Sequence, residues 1–114
     1  MSQHDFAALT TNAHEDWTLF AVRLHDKPGA GELRRALLQA HLEWAAENAE
    51  MLRAIGSLRE SPEATPIGAL WVVRAADKAA VEALIATDPF TTGGLRAGWD
   101  IYHWSKALPQ PVSF

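Results

Sequence analysis

His41 is a titratable ring set in a stretch that otherwise reads as core. Residues 31–48 run GELRRALLQAHLEWAAEN, and His41 sits among Leu37, Leu38, Ala40, Trp44 and Ala45. A polar ring beside an apolar stripe needs a hydrogen-bond partner, because an unsatisfied buried polar group costs about 1–3 kcal/mol. Asp88, in the turn Asp88-Pro89-Phe90, is the best candidate partner in the chain. A histidine oriented by a carboxylate is a general acid or base that works near neutral pH. Arg34 lies seven residues before His41, which is two helical turns, so both side chains can point the same way. Its fork could then hold a carboxylate or enolate oxygen bidentately. Phe90 and one strand tryptophan could wall a pocket for a planar ring.

Each of these residues also has a structural reading. His41 can be a packed helix residue satisfied by a backbone carbonyl, and Asp before Pro is common turn chemistry. Arg34 can be a solvated surface group or an interface ion pair. Asp26 reads as a cap of the helix that follows, with substrate orientation as its other role. Trp71, Trp99, Trp104, Tyr102 and Phe90 supply aromatic area that core and dimer packing would use. His103 reads as structural or interfacial. His25 falls in a turn, and His4 and His14 lie near the start of the chain, so no cluster has metal-ligand spacing. Gly93-Gly94 leads into a strand rather than a helix, so it is a connector and not a phosphate loop.

The elements that must position these groups follow from patterning. Trp17–Leu24 is an apolar run of strand length, and His25-Asp26-Lys27-Pro28-Gly29 ends it with turn chemistry. Leu33, Leu37, Ala40, Trp44 and Ala45 recur at helical spacing over residues 31–47, and Asn48 reads as a left-handed stop. Residues 51–58 form a second strand with Gly56 at a bulge or close approach. Residues 67–75 form a third, apolar on both faces. Asp77 caps a second helix running to about Thr87, which Pro89 terminates. The connector TTGG then leads to a last strand over residues 96–105.

The order strand, helix, strand, strand, helix, strand predicts an α+β, ferredoxin-like βαββαβ fold. It has a four-stranded antiparallel sheet with two helices on one face. The other face needs cover, which a homodimer pairing sheet faces as a dimeric α+β barrel would supply. Residues 1–16 read as an N-terminal arm, 17–107 as the domain and 108–114 as a C-terminal tail.

The chain has 114 residues, a net charge of −4 and no cysteine. One domain fits that length. Without a basic cluster, nucleic-acid binding is not expected. Disulfides, thiolate metal sites and cysteine nucleophiles are excluded. No run approaches the roughly 20 apolar residues of a membrane span, and the N-terminus lacks a secretory pattern. A cytoplasmic location and no membrane partner are expected.

From about Trp17 to Ala107 the chain resembles the YciI-like (YCII-related) family. The pieces that carry the resemblance are Asp26-Lys27-Pro28-Gly29, Arg34 ahead of His41-Leu42, Ala54-Ile55-Gly56, Asp88-Pro89-Phe90 and Gly94-Leu95. The helix histidine combined with the Asp-Pro-aromatic turn is the specific part. The resemblance implies a dimeric α+β protein with a His41–Asp88 pair lining a pocket. It also implies a kinship to a dehydrochlorinase of chlorinated hydroxyquinol compounds. Two departures bear on ligand charge and shape: Leu38-Gln39 stands where many relatives carry Arg-Pro, and Ser57 where a proline commonly follows the second-strand glycine.

The expected function is cofactor-free proton transfer by His41 and Asp88, as a lyase or isomerase acting on a small oxygenated cyclic or aromatic substrate. Arg34 and Phe90 would bind that substrate. The alternative is a non-catalytic small-molecule-binding or regulatory module in which His41 and Asp88 are a structural pair. A third reading is a cofactor-free oxygenase of the wider dimeric α+β barrel group.

Overall fold

The computed structural model describes residues 17–108. The expected arm (1–16) and most of the expected tail (109–114) therefore lie outside the described residues. Strands β1 (Thr18–Asp26), β2 (Leu52–Leu58), β3 (Gly68–Ala75) and β4 (Arg96–His103) alternate with helices α1 (Gly31–Glu47), α2 (Lys78–Thr87) and the single turn α3 (Pro89–Thr92). The strands form one antiparallel sheet in the order β2-β3-β1-β4. This is the ferredoxin-like α+β arrangement that the strand and helix order predicts.

Alternation along β1 turns Phe20, Val22 and Leu24 to the helices, and all three are fully buried. They pair with Val73, Trp71 and Ala69 of β3 on the same face. Trp44 of α1 and Val81, Leu84 and Ile85 of α2 close the core from above. The opposite face mixes partly covered Leu19 and Ala21 with Arg23, with Leu70 at 46% exposure and with Tyr102 at 60%. Burial of β3 on both faces is therefore only half realised: Val72 is buried, but Leu70 is not.

Several local expectations need correction. β1 does not end at Leu24, because His25 pairs with Gly68 and Gly98, and Asp26 with Arg96. The turn begins only at Lys27. Gly56 is not a bulge: it pairs with Leu70, and the irregularity in β2 falls between Leu52 and Ala54. Asn48 is not left-handed, with φ −110°. It stops α1 by donating its side-chain Nδ2–H to the Trp44 carbonyl at 2.8 Å. The TTGG connector begins inside a helical turn that the sequence does not announce. Pro89 ends α2 as expected, but its fixed φ suits a first helical position, so Pro89–Thr92 coils into α3. Gly94, at φ 87°, then reverses the chain into β4.

Gly68 is required for a different reason. A Cβ there would collide with the backbone carbonyl of Leu24, so no larger residue allows β1 and β3 to approach as they do.

Candidate active site

The inward stripe of α1 is not the one its leucines suggest. Leu33 and Leu38 are about two-fifths exposed, at 37% and 40%, and Ala40 is exposed as well. The side facing the sheet instead carries Arg34, Leu37, His41 and Trp44, with His41 and Trp44 buried. A helix turning a guanidinium, an imidazole and an indole toward its core needs polar partners there.

The partners come from the junction of α2 and α3 and from the end of β1. Asp88 is fully buried, and its Oδ1 accepts from His41 Nδ1–H at 2.8 Å and from the Phe90 backbone N–H at 3.0 Å. Asp88 is thus the C-cap of α2, the N-cap of α3 and the partner of His41. The Phe90 ring stacks on His41 with centroids 4.0 Å apart and planes 15° apart. Trp44 is fixed by donating Nε1–H to Thr87 Oγ1 at 2.9 Å, and Thr87 donates in turn to the Leu84 carbonyl.

Asp26 is not a helix cap. The residue before α1 is Ala30, which makes no side-chain capping bond. Asp26 instead joins two cations: Oδ2 accepts from Arg34 Nε at 3.0 Å and Oδ1 from Arg96 Nη1 at 2.6 Å. Arg34 also donates Nη2–H to the Gly68 carbonyl at 3.3 Å. The guanidinium carbons of Arg34 and Arg96 each lie 4.9 Å from the Phe90 ring centroid, within cation–π range. Burial pushes the Arg96 pKa down, and the hydrogen bond and charge of Asp26 oppose that shift.

These groups surround a cavity of about 180 Å³ between α1 and the sheet. Arg34, His41, Phe90 and Arg96 line it, with Trp71 as the strand tryptophan of its wall. Leu38 and Ser57, the two departures from the family pattern, line it too. A wider groove of about 410 Å³ shares Arg34, Leu38 and Ser57 and continues outward past Arg35 and Arg59. Asp88 stands behind His41 rather than in the cavity. With Nδ1 engaged by Asp88, Nε2 is the ring nitrogen available for proton exchange.

The structure thus brings His41, Asp88, Arg34 and Phe90 into one cluster. It adds Arg96, which the sequence reading passed over, and gives Asp26 a different task. His103 is exposed and packs its ring on Phe20, with centroids 4.6 Å apart. His25 pairs with Asp100 at the surface, far in role from this cluster. Among the described residues no group of His, Cys, Asp and Glu could hold a metal ion. No helix among them is long and apolar enough to cross a membrane.

Fold and cluster together define a small α+β domain with a carboxylate-oriented histidine under one helix. The model of the YCII-related domain matches residues 18–105, and the chain belongs to that family. Among solved structures, it is similar to 5-chloro-2-hydroxyhydroquinone dehydrochlorinase from Burkholderia phenoliruptrix AC1100, solved in complex with 2,5-dihydroxybenzoquinone. That match has a TM-score of 0.70 at 23% identity, covering 76% of this chain and 93% of the other. It is also similar to a candidate antibiotic biosynthesis monooxygenase from Bacteriodes thetaiotaomicron VPI-5482, with a TM-score of 0.57 and 18% identity. There the alignment covers 90% of this chain and 100% of the other. At these identities the likeness is one of fold. No curated protein matches significantly.

Proposed function

We propose that the protein is a cofactor-free proton-transfer enzyme, a lyase or isomerase acting on a small oxygenated cyclic or aromatic compound in the cytoplasm. The observation that carries this reading is the position of His41. One ring nitrogen is held by a fully buried carboxylate while the ring lines a cavity. Cavity size fits the substrate class, since about 150 Å³ holds one benzene ring in another protein.

The steps use only this chain's groups. His41 Nε2 takes a proton from the substrate, and Asp88 balances the imidazolium so formed. Arg34 stabilises the anionic oxygen that develops, and Phe90 holds the imidazole plane while contributing to the cavity wall. In a dehydrochlorination the electron pair left by the proton expels chloride. Loss of HCl balances without an oxidant or a reductant.

Wild-type protein should release chloride from 5-chloro-2-hydroxyhydroquinone or a related chlorinated quinol, with His41→Ala slower by about 10²–10⁴-fold. Chloride release equal in the two proteins would contradict the role given to His41. The product-like 2,5-dihydroxybenzoquinone serves as a binding probe for the same cavity.

The working unit we propose is a homodimer paired through the open sheet faces. The exposed Leu70 and Tyr102 and the half-covered Leu19 support it. Light scattering should give twice the chain mass, and Tyr102→Glu should shift it toward the monomer.

A second reading, a binding module with a structural His41–Asp88 pair, is favoured by one observation. Asp88 Oδ1 ties three segments together while wholly shielded from solvent. On that reading His41→Ala melts the fold by several kcal/mol and no substrate is turned over.

A further inference from the structure

Arg96 is a buried cation to which the proton-transfer reading gives no task. Its side chain is 1% exposed and it lines the cavity beside Arg34 and His41. Nη1 is bonded to Asp26, but Nε and Nη2 have no hydrogen-bond partner. Asp88 Oδ2, also without a partner, stands 3.9 Å from Nη2, beyond hydrogen-bond reach. Buried guanidinium donors left open are costly, and packing alone does not account for them.

The backbone shows how Arg96 comes to point inward. Trp99, Ile101 and His103 of β4 face the helices opposite Leu24, Val22 and Phe20. Continued alternation would place Ala97 inside and Arg96 outside. The register instead shifts after His25, which faces Gly98, so that Asp26 faces Arg96 and Ala97 is the extra residue. A bulge of this kind re-aims a side chain, and here it exchanges an alanine for a guanidinium on the pocket side.

We propose that Arg96, together with Arg34, binds an ionised oxygen of the substrate, so that the pocket selects planar oxyanions over neutral compounds of the same shape. With His41 neutral, Asp26 and Asp88 balance Arg34 and Arg96, so the preference for an anion comes from the open Nε and Nη2 donors of Arg96 and needs no proton on His41. This inference rests on the pocket reading above and names its substrate class: a carboxylate, or the enolate of an acidic hydroxyquinone.

The test compares 2,5-dihydroxybenzoquinone with 2,5-dimethoxybenzoquinone. The hydroxyls of the first are vinylogous acids and ionise, whereas the second cannot. Binding is followed by calorimetry and by the visible absorption band of the quinone anion. Wild-type protein should bind the anion at least about tenfold more tightly than the ether, and shift its band. Arg96→Met should reduce that preference by about tenfold to a hundredfold. The double variant Asp26→Asn/Arg96→Met removes both sides of the ion pair, so it tests the same point without an orphaned Asp26 carboxylate. Arg96→Lys, with charge but no fork, should retain only part of the preference.

His41→Gln should keep the preference while losing turnover, so the failure of proton transfer and the failure of anion binding are read separately. Equal binding of both probes by wild type, or binding of neither, overturns the proposal. So does an undiminished preference and band shift in any folded Arg96 variant.

Discussion

The two long helices pack on the same sheet face, yet they bring opposite chemistry to it. α2 turns Val81, Leu84 and Ile85 inward, and all three belong to the main apolar core. α1 turns Arg34, His41 and Trp44 inward, and each makes a hydrogen bond to a side chain from another element. The α2 half is a packed core whose energy comes from burial. The α1 half leaves a cavity and relies on oriented polar groups. α2 serves the core alone, whereas α1 serves the candidate site and, through Trp44, the core as well. Asp88, where α2 ends and α3 begins, joins the two halves.

The strongest way to break this division is Asp88→Ala. It leaves His41 Nδ1 and the Phe90 N–H without their acceptor and removes a charge 3.9 Å from Arg96, and should cost about 3–5 kcal/mol in chemical denaturation. Ile85→Ala probes the core half alone. It should cost about 2–5 kcal/mol, while kcat/KM per folded molecule stays within twofold of wild type, roughly the scatter of such comparisons. Trp44→Phe removes the donor to Thr87 from the site half; an unfolding midpoint equivalent to about 1 kcal/mol of lost stability is expected. Asp100→Asn is the smallest change. Its pair with His25 is 43% and 51% exposed, so stability should move by about 0.5 kcal/mol or less, and less again at high salt. If Ile85→Ala abolished activity while leaving stability intact, the division between the halves would fail.

The same comparison explains what the sequence made legible. The α2 half reads directly, because an N-cap aspartate, apolar spacing and a terminating proline all act locally. The His41–Asp88 pair was legible for a related reason: a histidine on an apolar stripe demands a partner, and few residues in the chain qualify. The true inward face of α1 was not. Its leucines and its polar residues offer two overlapping stripes, and only the partners on β1, β4 and the Asp88 turn decide between them. Asp26 looked like a cap because it precedes a helix, but β1 carries it into the sheet. Arg96 was hidden by the bulge at Ala97, since strict alternation assigns it to the open face. No local signal short of the flanking Gly94 and Gly98 announces that bulge.

On the proposed function, Asp88 holds His41 in order to move a proton, not to brace the fold. The most direct test measures chloride release from 5-chloro-2-hydroxyhydroquinone, alongside the thermal melt, for wild type and His41→Gln. Expected are turnover by wild type, a loss of at least about a hundredfold in the variant and a melting temperature within a few degrees, about 1 kcal/mol. Full activity in a folded His41→Gln would contradict the proposed function, as would a collapsed melt in the variant with no turnover by the wild type.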